Sequence, residues 1–479
     1  MSAAIDHIVV LMLENRSFDH MLGYLYARDG NISPLGHPFE GLAGTESNPD
    51  ASGKAVTVFP ITAATPQGYF MPGADPGEGY KATNSQLYGS INAPKAPPAG
   101  DRSAIGYVRD FAYTLGWEPK ERPKEVVPGT VAGGIMGCFS PEMLPILSGL
   151  ARGYAVCDHW FGAAPTETLP NRAFALAGTS QGHMDDNTRS YTVPSIFGAL
   201  GKAGLDWRIH GYINPPLTRG DFPDTLAAPD GHFGLFTDFQ KAAAQGTLPA
   251  FTFLEPCWSG PQQNDQHPVS DVSAGERLIH DVYLAMRGSP LWNRSLLIVT
   301  YDEHGGCYDH VPPPWTATPP DSSAGEFGFD FRRFGPRVPA LLISPLIEAG
   351  TVFRVPDGGA PLDHTAILKA VETRWDIPPL TARDAAAPDL WPVVTLSSPR
   401  TDDPLRGAEP PAAPPSPLPR DVPTHLQLVH AAMAAALPVR DGRGASHHAL
   451  PEAMPVLETS QQYDAYIRDR VERWKRSRN

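Results

Sequence analysis

Short runs of apolar residues, many of them β-branched, recur along the chain and are typical of buried strands. They lack an alternation of polar and apolar positions, because a strand covered by helices on both faces of its sheet is buried on both sides. The clearest runs are residues 8–13, 296–301 and 340–344, with weaker candidates at 154–157, 207–210 and 250–254. This pattern predicts a buried parallel sheet.

Segments with apolar residues at helical spacing separate several of these runs. They occupy residues 141–150, 195–203, 275–286 and 364–375. Asp363 comes just before the last segment and is expected to cap it. Strands and helices that alternate in this way predict an α/β fold, with a doubly wound, mostly parallel sheet and helices on both faces.

The C-terminal part of the chain has a different pattern. Residues 404–423 are rich in proline, which is typical of an extended linker. Residues 424–437 and 460–476 then show helical patterns. The predicted organisation is a catalytic domain at residues 1–400, a Pro-rich linker at 401–423 and a helical C-terminal tail at 424–479.

The composition fits a globular protein with long loops, since 41% of the residues are hydrophobic and the chain has 53 prolines and 45 glycines. Two insertions, residues 36–104 and 214–237, are rich in glycine and proline, and we expect them to fold over the functional site. Four cysteines without a CxxC pair predict free, buried thiols.

Charge and hydropathy exclude several classes of protein. The net charge of −14 disfavours general nucleic-acid binding, which needs a basic face to displace counterions. No apolar run approaches the roughly 20 residues of a transmembrane helix. No export signal is visible before the first predicted strand, so the sequence as written predicts a cytoplasmic protein.

Acidic residues directly follow several predicted strands. Glu14 follows residues 8–13, Asp302 and Glu303 follow residues 296–301, and Asp158 and Glu255 end two weaker strands in the same way. Because the carboxyl ends of parallel strands meet at one edge of a sheet, this edge is expected to collect the acids.

Asp302 and Glu303 are the stronger acidic pair. Two neighbouring carboxylates repel each other unless a proton or a cation compensates them. Gly305 and Gly306 would let the chain turn so that both side chains reach one ion. A turn with solvated acids is the alternative interpretation.

Glu14 and Asn15 offer a carboxylate and an amide oxygen from the other strand end. An alternative is that this segment only begins a helix, capped by Asn15 or Ser17. Together with the Asp302 pair, these oxygens suit one divalent metal ion. Its identity stays open among calcium, magnesium, manganese, zinc and iron.

A third segment combines two hydroxyls with a cation, in a loop fixed by prolines. Thr166 and Thr168 supply the hydroxyls, and metal coordination can make a hydroxyl nucleophilic. Arg172 and the Asn171 amide could bind phosphoryl oxygens. The alternative is that one of the threonines caps the helix that follows.

These motifs, taken in order, resemble the bacterial phosphoesterase family that contains phosphatidylcholine-type phospholipases C and metal-dependent acid phosphatases. The resemblance spans most of residues 5–375. The matching segments are residues 6–10, 14–19, 137 with 141–145, 168–172, 255–256, 267–268, 301–306, 309–311 and 335–339.

The resemblance implies an alkaline-phosphatase-like fold and hydrolysis of phosphate esters. Glu14, Asn15, Asp302 and Glu303 match the metal ligands of the family, and Thr168 matches a nucleophile that also binds the metal. Attack by Thr168 on phosphorus would give a phosphothreonine, which water then hydrolyses.

The expected substrate is a phospholipid, cleaved to diacylglycerol and a phosphorylated head group. The alternatives are an acid phosphatase acting on phosphomonoesters and a catalytically silent protein that binds phosphate or lipid. Aromatic residues within 312–334 could touch acyl chains at a lipid surface, or form core under a loop. Many relatives are exported, so the resemblance also allows export.

Histidines are the natural proton donors for the leaving alcohol. His267 is the first candidate, and His304 and His310 follow, with Asp309 as a possible partner of His310. The chain departs from the family pattern at Glu78, where many members carry histidine after Asp-Pro. Contact with the phosphate or the leaving group would then fall to Glu78 or to Tyr80.

A two-metal enzyme is a further alternative. It would need a second set of ligands, for which Asp158, Asp363 and His364 are the candidates in this sequence.

Overall fold

The computed structural model describes residues 4–98, 104–356, 358–438 and 454–478. Fourteen strands are described in this part of the chain. In chain order they are β1 (His7–Leu13), β2 (Ser47–Pro49), β3 (Ala55–Thr57), β4 (Phe59–Ile61), β5 (Gly137–Phe139), β6 (Ala155–Val156), β7 (Trp160–Phe161), β8 (Trp207–Gly211), β9 (Phe233–Leu235), β10 (Phe251–Leu254), β11 (Ser295–Tyr301), β12 (Ala340–Ile343), β13 (Thr351–Val352) and β14 (Leu362–Asp363).

Eight of these strands form the central sheet, in the order β13-β6-β12-β11-β1-β10-β8-β9. β1 lies between β11 and β10 and is parallel to both. Every pairing in this sheet is parallel except those of β12, which runs antiparallel to β11 and to β6. The residues of β1, β10 and β11 are almost all buried, as expected for strands covered on both faces.

Thirteen α-helices are described, and those beside the sheet form two groups. In chain order they are α1 (Phe18–Leu22), α2 (Tyr80–Tyr88), α3 (Tyr107–Glu121), α4 (Pro145–Gly153), α5 (Thr168–Ala177), α6 (Ile196–Lys202), α7 (Pro223–Ala227), α8 (Phe236–Gln245), α9 (Val272–Arg287), α10 (Thr365–Trp375), α11 (Ala382–Ala386), α12 (His425–Ala436) and α13 (Ser460–Arg478). α4 and α8 both pack against α9, and α6 and α10 both pack against α5. The predicted α/β fold with a mostly parallel sheet is confirmed.

One expectation about the sheet was wrong. Residues 340–344 were predicted as a parallel strand, but β12 is antiparallel. The connection from β11 to β12 contains no α-helix among the described residues, so the chain returns beside β11 instead of crossing the sheet.

The structure shows where the first predicted insertion and the aromatic segment lie. The first insertion contributes β2 to β4 and α2, and it reaches the end of β1 through Glu78. In the segment 312–334, Phe329, Phe331 and Phe334 are buried, whereas Phe327 is 56% exposed. Three of the five aromatic residues of this segment are therefore core.

The C-terminal region packs against the rest of the molecule. α12 and α13 pack together, and α12 also contacts Leu169, Leu217 and Trp258. None of the described helices is both long enough and apolar enough to cross a membrane. All four cysteines are buried and free.

Candidate active site

The carboxyl ends of β1 and β11 lie side by side and bring two acidic segments together. Leu13 pairs with Tyr301 in parallel register, and the Asp302 backbone amide donates to the Leu13 carbonyl oxygen over 3.2 Å. Glu14 is therefore close to Asp302. Both carboxylates are at most 1% exposed, which excludes a solvated turn at Asp302.

A close backbone approach joins the two segments just beyond the strands. Asn15 has a φ of 49° and Gly305 a φ of 60°. A Cβ atom on Gly305 would lie 2.0 Å from the Asn15 carbonyl oxygen, so only glycine fits there. Gly306 also has a positive φ, of 63°. The turn predicted from these two glycines is present.

The Thr168 hydroxyl reaches the end of β1 from the first residue of α5. Its Oγ1 lies 3.2 Å from Glu14 Oε1, to which it donates, and 3.4 Å from Asn15 Oδ1. Neither threonine of this segment caps the helix, because Glu167 is the N-cap residue and Thr166 donates its hydroxyl to a backbone carbonyl. Thr168 is thus free for another role.

In the segment that follows β1, Asn15 and Ser17 were the two candidates for a helix cap, and Ser17 is one. Ser17 Oγ accepts a hydrogen bond from the His20 backbone amide and caps α1. Glu14 and Asn15 lie before this cap and face Thr168 instead.

Asp302 and Glu303 have different partners. Asp302 Oδ2 accepts a hydrogen bond from Arg172 Nε at 2.9 Å. Glu303 Oε2 lies 3.0 Å from His304 Nδ1, and the other ring nitrogen lies 2.7 Å from Gln86 Oε1. Burial lowers the pKa of His304 to about 3. A neutral, buried His304 holds Glu303 in place, which replaces its predicted role as a proton donor.

The acids at these two strand ends are not fully compensated. We call the following group the Thr168 cluster: Glu14, Asn15, Thr168, Asp302 and Glu303. Burial, and next the Asp302 charge, raise the pKa of Glu14 well above its usual value. The pKa of Glu303 is also raised well above its usual value, first by burial and then by the charges of Glu78 and Asp302. Glu303 Oε1 is buried without a hydrogen-bond partner in the described chain. Buried acids beside amide and hydroxyl oxygens fit one divalent cation.

Glu78 connects the Thr168 cluster to His267. Its Oε1 accepts a hydrogen bond from Asn15 Nδ2 at 2.5 Å and lies 3.1 Å from His267 Nε2. Asp75 Oδ1 lies 3.9 Å from His267 Nδ1. Burial lowers the pKa of His267, but Asp75 and Glu78 outweigh burial and raise it well above its usual value. Glu78 therefore orients both the Asn15 amide and the His267 imidazole.

Asp309 and His310 lie in another buried cluster, with Asp19 and Arg337, which we call the Arg337 cluster. Arg337 donates to Asp19 over 2.8 Å and to Asp309 over 2.9 Å. His310 Nδ1 lies 2.6 Å from Asp19 Oδ2, so Asp19 is its carboxylate partner and Asp309 is not. Both acids have cationic partners, and this geometry favours a structural role over the predicted proton transfer and substrate binding.

Asn171 and Arg172 were both predicted to bind phosphate, but their side chains have different partners. The Asn171 side chain bonds to backbone groups of residues 164–167 over 2.9 to 3.2 Å, so it shapes the loop before Thr168. The Arg172 guanidinium lies 4.7 Å from the Trp258 ring centroid, and its Nη1 has no partner among the described residues. Of this pair, Arg172 is the residue with a donor that has no partner in the described chain.

The candidates for a second metal have other partners. His364 Nε2 lies 2.5 Å from the Asp302 carbonyl oxygen, and Asp363 and Asp158 each pair with an arginine. They do not form a second ligand set.

Sequence reasoning gave no role to Gln86, Trp258 or Arg337. Arg337 lies within a matching segment, 335–339, and a basic residue in an apolar stretch was a usable signal. Gln86 and Trp258 act through contacts with His304 and Arg172, which no spacing in the sequence indicates.

Comparisons with solved structures give low similarity. An alkaline phosphatase superfamily protein from Vibrio parahaemolyticus aligns with a TM-score of 0.31 and 13% identity, over 53% of this chain and 66% of that protein. The lipoteichoic acid synthase LtaP from Listeria monocytogenes aligns with a TM-score of 0.30 and 12% identity, over 69% and 78%.

Comparisons with known sequences are more informative. The chain is 34% identical to non-specific phospholipase C6 of Arabidopsis thaliana over 420 residues, which cover 84% of this chain and 74% of that protein. It is 28% identical to phospholipase C B of Mycobacterium tuberculosis over an alignment of 512 positions, which covers 95% of this chain and 88% of that protein. A model of the Phosphoesterase family matches residues 5–378. The chain belongs to the Phosphoesterase family and is a phosphoric ester hydrolase.

Proposed function

We propose that the chain is a metal-dependent phospholipase C, which cleaves a phospholipid to diacylglycerol and a phosphorylated head group through a phosphothreonine at Thr168. The observation that carries this proposal is the position of Thr168 Oγ1, 3.2 Å from Glu14 Oε1 and 3.4 Å from Asn15 Oδ1. The relatives are named phospholipases C, which supports a lipid substrate for this chain. The enzyme would contact such a substrate at a membrane surface.

One divalent cation would be held by the Thr168 cluster. The unpartnered Glu303 Oε1 and the raised pKa of Glu14, which burial causes first, support a bound positive charge. When bound, such an ion lowers the pKa of an alcohol and neutralises charge on phosphoryl oxygens.

The side chains of the cluster prepare Thr168 for attack. Glu14 accepts the hydrogen bond of the hydroxyl and is the nearest acceptor for its proton. Thr168 Oγ1 then bonds to phosphorus as the bond from phosphorus to the alcohol oxygen breaks. Arg172 Nη1, which lacks a partner in the described chain, donates to a phosphoryl oxygen.

His267 moves the second proton. Burial lowers its pKa, but Asp75 and Glu78 raise it well above its usual value, so the ring carries a proton at neutral pH. It gives this proton to the leaving alcohol oxygen, and later takes one from the water that hydrolyses the phosphothreonine. Glu78 is a positioning residue, because it holds this ring and the Asn15 amide.

Two substitutions at Thr168 test the nucleophile. Thr168→Ala should lower kcat by roughly a thousandfold or more, because a covalent route is lost. Thr168→Ser keeps a hydroxyl and should retain measurable turnover. Acid quenching with substrate labelled in the phosphate should leave label on the unsubstituted protein and none on Thr168→Ala. An unchanged rate in Thr168→Ala would refute the proposed nucleophile.

Substrate and metal are tested with the unsubstituted protein. Release of phosphocholine from phosphatidylcholine is the expected activity, and turnover confined to p-nitrophenyl phosphate would contradict a phospholipase C. Chelation should abolish activity, and single divalent metals added back should restore it. Metal analysis should give one ion per chain; none in the active protein would contradict metal dependence.

A further inference from the structure

A cavity of about 320 Å³ is lined by His267 and Asp75, and by no residue of the Thr168 cluster. Residues within 260–278 line this cavity. Residues within 411–425, which we call the C-terminal wall, line it as well. The volume lies in the range of pockets that bind small molecules.

The C-terminal wall is fixed to residues beside the catalytic groups. Thr424 donates its hydroxyl to the Trp258 carbonyl oxygen over 2.9 Å, and it also caps α12. Leu426 and Val429 of α12 pack in one apolar cluster with Trp258 and Leu169. Trp258 stacks on Arg172, and Leu169 follows Thr168 in the chain. The wall therefore has a defined position relative to the site of attack.

The lining of the cavity is both polar and apolar. Gln262, Asn264 and Arg420 offer hydrogen-bond donors, while Leu418 and Val422 offer apolar surface. This mixture suits an alcohol that carries ester carbonyls on a short carbon skeleton, as an acylated glycerol does.

His425 is a titratable group of the wall on which the charges of Glu78 and His267 act. It is the first residue of α12, and it lines the cavity together with His267. Burial lowers its pKa, the Glu78 charge raises it, and the charges of His267 and Arg122 lower it. A neutral imidazole can donate a hydrogen bond to an ester carbonyl without competing for the phosphate.

We propose that this cavity is the subsite for the alcohol portion of the ester, and that His425 on the C-terminal wall selects an acylated glycerol there. This inference rests on the proposed function, since His267, which lines the cavity, would protonate the oxygen of that alcohol. His425 is then a specificity-determining residue that touches the leaving group.

The test compares two esters that share phosphocholine and differ in the alcohol: dihexanoyl-phosphatidylcholine and p-nitrophenyl phosphorylcholine. His425→Ala should raise KM for the glycerol ester roughly tenfold, the cost of one lost hydrogen bond, and change KM for the nitrophenyl ester less than about twofold. His425→Gln keeps a donor and should restore most of the difference. Leu428→Ala is the control, because Leu428 is exposed on the same helix and does not line the cavity.

Several outcomes would overturn the inference. Equal KM changes for both esters would mean that His425 only supports the fold, and no change for either would mean that it contacts no substrate. Calorimetry measures the binding of dihexanoylglycerol to the subsite without turnover, and it should show weaker binding to His425→Ala. Normal binding by that variant overturns the inference, whereas lack of turnover by the unsubstituted protein refutes only the proposed function.

Discussion

The acids of the Thr168 cluster and of the Arg337 cluster come from the same two chain segments, those that follow β1 and β11, yet the two clusters differ in charge balance. Both contain buried acids. In the Arg337 cluster, Arg337 and His310 neutralise Asp19 and Asp309. In the Thr168 cluster, Arg172 pairs with Asp302 and its charge also acts on Glu14, whereas Glu303 lies beside a neutral histidine.

The difference teaches how a buried acid is to be interpreted. Acids that the protein pairs with its own cations serve the fold, because the pair satisfies its own charge. Acids that stay unpaired need a charge from outside, which is a property of a binding site. Burial alone does not separate the two classes; the partners do.

Removal of the cation from the Arg337 cluster should have the largest effect on stability. Arg337→Met leaves Asp19 and Asp309 buried without their guanidinium, which should cost about 3 to 5 kcal/mol in the free energy of unfolding. Urea denaturation measures this loss, and metal analysis should find the ion still bound in the folded fraction. The control is Arg332→Met, since Arg332 is an exposed arginine in the same region. Similar losses in both variants would contradict a structural role for the Arg337 cluster.

A side chain at Gly305 should damage the Thr168 cluster instead. Gly305→Ala combines a positive φ with a Cβ 2.0 Å from the Asn15 carbonyl oxygen, and it should cost at least about 2 kcal/mol. Metal content should fall with it, since Asn15 must move. Gly328→Ala is the control for backbone strain without a steric clash, because Gly328 has a φ of 72° and open space around it. Equal metal binding in the two variants would contradict the close approach as a requirement.

The smallest expected effect is a pH dependence that belongs to the Arg337 cluster. Burial lowers the pKa of His310, but Asp19 outweighs burial and raises it above 6.5. Protonated His310 therefore stabilises the fold below pH 6.5, and this contribution is lost as the pH rises through the folded pKa.

Comparison of His310→Gln with the unsubstituted protein measures this contribution. Between roughly pH 5.5 and roughly pH 8.5, the unsubstituted protein should lose about 1 kcal/mol more than the variant. His37→Gln, at an exposed position, is the control. Parallel stability curves for His310→Gln and the unsubstituted protein would contradict the His310–Asp19 pairing.

Much of the site was predictable because it depends on local patterns. Apolar runs that end in acids predicted β1 and β11, and parallel strand ends must meet, so Glu14 and Asp302 were expected together. Gly305 was identified because two adjacent glycines at a strand end permit a turn. These inferences needed only a short stretch of chain and one rule of sheet geometry.

The remaining features depend on contacts between distant segments. His310 was assigned the neighbour Asp309 as its partner, but its partner is Asp19, 291 positions away. The direction of β12 depends on how residues 303–339 return to the sheet, and no residue pattern fixes that path. The division at residue 400 stays a prediction, since α12 packs against core residues such as Trp258.

The C-terminal wall has a consequence for biosynthesis. A ribosome delivers Glu14 early and residues 411–425 late, while β1 must wait for both of its neighbours, β10 and β11, before it can pair. The residues of the Thr168 cluster are therefore all synthesised before the C-terminal wall. A nascent chain that stops short of the wall carries Thr168 and its acids without the residues of the wall that line the cavity.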